Sequence, residues 1–130
     1  MLHEEGELAA GRLLGETWAS KLGGFTGKRA ELLARAVRDN LADCLVTLPG
    51  LLQRGATDSL HFWFSTFDGL RRELFPRLVA AYSIVGAGDT AIQAAAAAGR
   101  IHFAKLGLRL LDMDEATIAT LSLEPAAIAL

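Results

Sequence analysis

The side chains that could do chemistry in this sequence are three histidines, at positions 3, 61 and 102, and one cysteine, Cys44. Protein zinc sites use such ligands in closely spaced motifs, of which His-Glu-x-x-His and Cys-x-x-Cys are examples. Neither motif occurs here. A carboxylate-bridged di-iron bundle needs two Glu-x-x-His motifs, whereas Asp58-x-x-His61 is a single partial match. We therefore expect no metal and no cofactor.

Nucleophilic catalysis is also disfavoured by the pattern. Cys44 lies on the apolar stripe of its predicted helix, where burial raises the pKa of a thiol and makes it unreactive. The chain has no Gly-x-Ser-x-Gly motif. His61, Ser65 and Asp68 share one predicted helix face, but parallel side chains do not converge on a substrate atom. The sequence therefore predicts a protein that is not an enzyme.

One segment favours an alternative, phosphotransfer. Histidine phosphotransfer domains are helical bundles that expose a histidine with a lysine three residues later and a glycine after that. The run from His102 to Gly107 resembles this pattern in part, with Lys105 in place and the glycine one residue late. Lys105 would neutralise part of a phosphoryl charge. His102 and Lys105 are thus the candidate phosphotransfer residues. Haem ligation is disfavoured, because both His61 and His102 fall on predicted polar faces.

Composition indicates which elements position these residues. Of the 130 residues, 52% are hydrophobic and 22% charged, and the apolar excess is mostly alanine and leucine. Both are strong helix formers, whereas the β-branched and aromatic residues typical of strands are sparse. The length suits one domain. We expect an all-α fold, with residues 1–130 forming a single helical domain.

Charge and cysteine content narrow the class of partner and the location. A net charge of −2 argues against non-specific attraction to nucleic acid. The basic residues of 28–38 are interrupted by Glu31 and followed by Asp39. The longest run without charge, residues 78–88, is too short to span a bilayer. A lone cysteine and the absence of a basic-then-apolar leader fit a reducing compartment. We expect a cytoplasmic protein without nucleic-acid or membrane partners.

Periodicity and helix-breaking residues predict a compact bundle of five or six helices. Three of them are predicted to end at short segments that contain glycine or proline, at Gly23–Gly24, Pro49–Gly50 and Gly86–Gly88. Asp89 is the predicted N-cap of the fifth helix, and Asp112 with Glu115 resembles a capping box for the last. Pro76 either kinks the third helix or begins the fourth. The predicted helices cover residues 4–22, 28–48, 58–74, 76–85, 90–111 and 113–122.

The helix at 90–111 is predicted to be central, because it is apolar along two sides. A first strip with heptad spacing consists of Ile92, Ala96, Gly99, Phe103, Leu106 and Leu110. A second strip consists of Ala97, Ile101, Ala104, Leu108 and Leu111. The predicted solvent side carries Ala95, Ala98, His102, Lys105 and Arg109. Either both apolar strips belong to the core, or part of this apolar surface contacts another subunit.

The aromatic helix at 58–74 suggests where a partner binds. Phe62 falls outside the main apolar stripe, with Gly69 and Glu73 on the same side and His61 beside it. We expect His61, Phe62, Gly69 and Glu73 to form an interface. The sequence therefore predicts a non-catalytic protein-interaction or regulatory module, which binds another protein or itself as a homodimer. A second alternative is a small-molecule sensor, with a pocket lined by Trp63, Phe64, Phe67 and Phe103.

Overall fold

The structure is a computed structural model that describes residues 1–84 and 88–130. Within these residues every regular element is helical, as predicted, but the helices are shorter and more numerous than five or six. Their bounds are α1 Leu2–Leu14, α2 Glu16–Gly23, α3 Lys28–Ala42, a π-helical segment Asp43–Thr47, α4 Leu48–Gln53, α5 Thr57–Ser65, α6 Gly69–Glu73, α7 Pro76–Tyr82, α8 Gly88–Leu111, α9 Glu115–Leu121 and a 3₁₀ turn Pro125–Ala127.

The predicted first helix is two helices, α1 and α2, separated at Gly15. This glycine has φ 88° and ψ 175°, a backbone conformation that is essentially restricted to glycine. The break turns the chain while keeping Leu14 and Trp18 buried on either side of it. Lys21 then donates hydrogen bonds to the carbonyl oxygens of Leu111 and Met113, which ties α2 to the C-terminal end of α8.

The predicted end of the second helix at Pro49–Gly50 is wrong, because the chain stays helical from α3 through the π-helical segment and α4. Pro49 lies in the first turn of α4. The missing N–H of Pro49 removes one donor from this continuous helix, directly after the π-helical segment, where the backbone already departs from the α-helical hydrogen-bond pattern. The π-helical segment is wider than an α-helix, with the Leu48 N–H bonded to the Asp43 carbonyl oxygen five residues earlier.

The predicted aromatic helix at 58–74 is also two helices, α5 and α6. Gly69 begins α6 with φ 61°, in the left-handed region that favours glycine. Pro76 begins α7 and does not kink the preceding helix. The predicted break at Gly86–Gly88 lies mostly outside the described residues. Since α8 begins at Gly88, Asp89 lies within its first turn and not at the N-cap position.

The predicted helix at 90–111 is one continuous helix, α8, which packs against α3, α7, α4 and the π-helical segment. All six residues of the first strip are buried. Gly99 makes this packing possible, because a Cβ there would lie 2.5 Å from the Phe75 ring and 2.6 Å from the Cys44 Sγ. Ala95, placed on the solvent side by the sequence, is only 1% exposed because it faces α7.

The C-terminal residues pack against the helices. The N-cap of α9 is Asp114, whose carboxylate accepts from the Thr117 N–H at 2.8 Å, and not Asp112 as predicted. Glu115 accepts hydrogen bonds from Thr26 and Gly27 instead of capping its own helix. The last residue, Leu130, exchanges backbone hydrogen bonds with Leu74 and Arg77. Among the described helices, none combines the length and the apolar character that a membrane crossing requires.

Candidate functional site

The second strip of α8 is the most exposed apolar surface on the central helix. Ile101 is 57% exposed and Leu108 is 46% exposed, and Ala97 between the helix N-terminus and Ile101 is exposed as well. Ala104 and Leu111 are half-buried at its edge. Ile101 and Leu108 remain exposed although α3, α7, α4 and the π-helical segment all pack against α8.

Cations border this strip. Arg100, Lys105 and Arg109 are exposed, and residues 90–111 contain no aspartate or glutamate. In the described residues, none of the three cations has an acidic side chain within 4 Å. The surface of α8 therefore combines apolar side chains with positive charge, a chemistry that fits a partner surface carrying apolar and acidic groups.

A surface with the complementary chemistry lies on α1 of the same chain. Its solvent side carries Glu4, Glu5 and Leu8, which we call the acidic face, followed one turn later by the exposed Arg12, and Leu8 is 63% exposed. The buried side of α1 approaches the core closely, since a Cβ at Gly6 would lie 2.8 Å from the Ala42 carbonyl oxygen. Burial of Gly6, Ala10 and Leu14 thus directs the acidic face away from the molecule.

The interface predicted on the aromatic helix is exposed but divided. Phe62 is 72% exposed on α5, while Gly69 and Glu73 are exposed on α6, beyond the break at residues 66–68. His61 is exposed too, with its Nδ1 hydrogen-bonded to the Tyr82 hydroxyl at 2.6 Å. These residues therefore do not share one helix face, contrary to what the sequence had predicted. Their role at an interface stays a prediction.

The four aromatic residues of the predicted ligand pocket do not all meet. Trp63 stacks on Phe67 with ring centroids 4.9 Å apart, and Phe64 stacks on Tyr82 at 3.9 Å. Phe103 lies elsewhere and packs against Phe75 at 5.0 Å. Ring-to-ring contact fills the space between the first three, so the geometry gives no support to a pocket shared by all four.

His102 is half-buried between α8 and the C-terminal residues. Its Nε2 donates a hydrogen bond to the Ile128 carbonyl oxygen at 2.8 Å, and its ring packs edge-on against Phe103. A phosphoryl acceptor needs a free ring nitrogen, and this contact occupies the one that points away from the backbone. Lys105 is exposed nearby on the same helix. Phosphotransfer through His102 stays a prediction that this geometry does not favour.

A buried polar cluster around the π-helical segment was not found by the sequence analysis. Asp43 is 6% exposed, and burial raises the pKa of its carboxyl to about 6, although the nearby Arg71 guanidinium and Thr47 hydroxyl counteract part of the rise. The Nε and one terminal nitrogen of Arg71 are buried without a hydrogen-bond partner among the described residues. Asn40 joins the cluster by donating to the Arg71 carbonyl oxygen at 3.0 Å.

The signal for this cluster was present in the spacing. Asn40, Asp43 and Thr47 follow steps of three and four and lie beside the apolar residues Leu41 and Cys44, which places them partly on the buried side of α3 and the π-helical segment. Arg71 comes from α6, so only the three-dimensional structure brings it to the cluster. Cys44 itself is buried, and burial raises the pKa of its thiol, as the sequence analysis expected.

No group of His, Cys, Asp or Glu side chains in the described part of the chain has the arrangement of a metal site. No curated protein and no solved structure matches this sequence. Residues 1–124 match a family model described as a family of unknown function (DUF6866), C-terminal domain. This match covers nearly the whole sequence, and the chain therefore belongs to the DUF6866 C-terminal domain family.

Proposed function

We propose that this domain is a non-catalytic interaction module that self-associates, with the second strip of α8 in one copy contacting the acidic face of α1 in the other. The observation that carries the proposal is the exposure of Ile101 and Leu108 on the helix that forms the centre of the fold. Exposed apolar side chains in a contiguous strip are typical of protein–protein contacts.

Charge supports a second copy as the occupant of this strip. Two α8 surfaces facing each other would bring Lys105 and Arg109 of both copies together, and like charges at an interface are costly. Glu4 and Glu5 of a second copy would instead meet these cations, while Leu8 would pack on Ile101 or Leu108. The same chain thus carries both complementary surfaces.

The positions of α1 and α8 in the fold support the same pairing. Within one chain α1 and α8 are neighbours, since Leu14 of α1 lies 2.7 Å from where a Cβ on Gly107 would be. A two-fold axis passing between these neighbouring helices would create two equivalent contacts, each between α1 of one copy and α8 of the other. Such closed two-fold pairing is the commonest symmetry of homo-oligomers.

The experiment compares two matched substitutions of exposed apolar residues. Ile101→Glu places a charge in the proposed contact, whereas Leu123→Glu places the same charge at a residue that is 60% exposed outside it. Sedimentation velocity across a micromolar concentration series should show dimer for the wild type and Leu123→Glu, and a dimer dissociation constant at least tenfold higher for Ile101→Glu. Equal effects of the two substitutions would refute the assignment of the strip.

A further inference from the structure

A groove with a volume of about 500 Å³ opens between α8 and the helix formed by the π-helical segment and α4. Pockets for small molecules commonly measure about 300–1,000 Å³. Its walls are apolar at Leu45, Pro49 and Leu52, and its floor is formed by Cys44 and Ala96. The groove is open because α8 presents alanines to it, so that no side chain longer than a methyl group fills the space at positions 96 and 97.

The polar side chains that line the groove supply N–H donors and one positive charge, but no carboxylate. Gln53, Gln93 and Arg100 line it, and no acidic residue does. The Arg100 guanidinium has no ion-pair partner among residues 1–84 and 88–130. An arginine and two amides offer N–H donors that suit a carboxylate, and arginine in particular binds carboxylates in a bidentate manner.

We propose that this groove binds an amphipathic monocarboxylate, with a linear apolar tail along Leu45, Pro49 and Leu52 and its carboxylate at Arg100. The combination of an apolar trough with one unpaired cation selects for both parts of such a ligand. The inference goes beyond self-association, because it assigns a small-molecule ligand to a groove that borders the second strip at Ala97. Arg100 and Lys105 are five residues apart and thus lie about 140° from each other around α8, so the carboxylate site is separate from Lys105 of the proposed α1 contact.

The test uses octanoate, 1-octanol and octylammonium as probes of the full chain, with isothermal titration and methyl NMR. Octanoate should bind and shift the methyl resonances of Leu45, Leu52 and Ala97. Arg100→Gln should weaken octanoate binding by about tenfold, because a charge-assisted hydrogen bond is lost, and should leave binding of 1-octanol unchanged. Arg29→Gln, a matched change of an exposed arginine outside both the groove and the proposed contact, should have no effect on either.

Three results would overturn the proposal. These are methyl shifts that occur elsewhere or not at all up to the solubility limit of octanoate, octylammonium binding as tightly as octanoate, and equal losses in Arg100→Gln and Arg29→Gln. None of them bears on self-association, which is measured separately by sedimentation. Arg100→Gln and Arg29→Gln leave Lys105 and Arg109 unchanged and should therefore sediment like the wild-type protein without ligand, so a failure of one proposal is distinguishable from a failure of the other.

Discussion

Asp43 illustrates how a single buried carboxyl affects the stability of this fold. It lies in the π-helical segment, near Arg71 but without a salt bridge closer than 4 Å to it. Burial favours the neutral acid, and Arg71 and His3 only partly offset this effect, while Asp39 adds to it. The ionised carboxylate is therefore less stable in the folded chain than in the unfolded one, and the folded state binds a proton more tightly.

This arrangement predicts a pH dependence with a definite sign. Because the pKa of Asp43 is raised from 3.8 to about 6 on folding, its contribution to stability is greatest below pH 3.8 and decreases as the pH rises through 6. Asp43→Asn removes the ionisation and should raise the free energy of unfolding at pH 7.5 by roughly 1–3 kcal/mol relative to wild type. Urea denaturation at pH 4, 5, 6 and 7.5 measures this difference.

The same series includes its own control. The stability difference between Asp43→Asn and the wild type should shrink towards pH 4, where both side chains are neutral. Asp58→Asn, a change of an exposed carboxylate on α5 that is not among the charges acting on Asp43, should not show this rise with pH. A constant difference for Asp43→Asn across the series would contradict the buried-carboxyl explanation.

At the scale of helices, α8 shows most clearly what the sequence could predict. The heptad spacing from Ile92 to Leu110 correctly identified the buried side, because apolar periodicity reflects burial directly. The spacing does not explain why this strip contains Gly99, whereas the structure shows that a glycine there admits Phe75 and Cys44. Phe75 directly precedes α7 and Cys44 lies in the π-helical segment. Local sequence cannot place either residue beside α8.

Helix ends were predicted less well, because glycine and proline each allow more than one local conformation. Gly15 and Gly69 each look like an ordinary glycine inside a helical pattern, yet both adopt positive φ and divide a helix in two. Pro49 looks like a helix end, yet it is accommodated in the first turn of α4 after the π-helical segment. In each case tertiary packing decides between conformations that local sequence leaves close in energy.

A matched pair of glycine substitutions tests the packing of α8. Gly99→Ala should lower the free energy of unfolding by about 1–3 kcal/mol, because its Cβ would overlap the Phe75 ring and the Cys44 thiol. Gly11→Ala in α1, where a Cβ meets nothing within 4 Å, should instead raise it by up to about 1 kcal/mol. Thermal and urea denaturation of both variants give the comparison. Stabilisation by Gly99→Ala would show that α8 is packed less closely than described.

At the scale of the whole molecule, the chain has complementary surfaces on two neighbouring helices. The second strip was predicted from sequence as an apolar side of α8, and the structure shows that neighbouring helices leave Ile101 and Leu108 exposed. The sequence shows the glutamates of the acidic face but not where this face lies. Its position beside α8 depends on the packing of Leu14 against Gly107. The predicted interface at Phe62 was chosen from one helix that the structure divides.

Charge reversal tests the proposed pairing of these surfaces. Variant A carries Lys105→Glu with Arg109→Glu, and variant B carries Glu4→Lys with Glu5→Lys. Each should self-associate at least tenfold more weakly than wild type, because like charges would face each other. An equimolar mixture should form a heterodimer, since each contact would again join opposite charges. Unchanged dimerisation of variant B alone would indicate that α1 is not part of the contact.

The most direct test of self-association is the mass of the wild-type protein in solution, measured by size-exclusion chromatography with light scattering at about 50 μM and low salt, the conditions that favour a weak, charge-dependent contact. Our proposal predicts a mass near twice the 13.8 kDa of one chain, decreasing on dilution or at high salt. A mass of 13.8 kDa at every concentration and salt would contradict it.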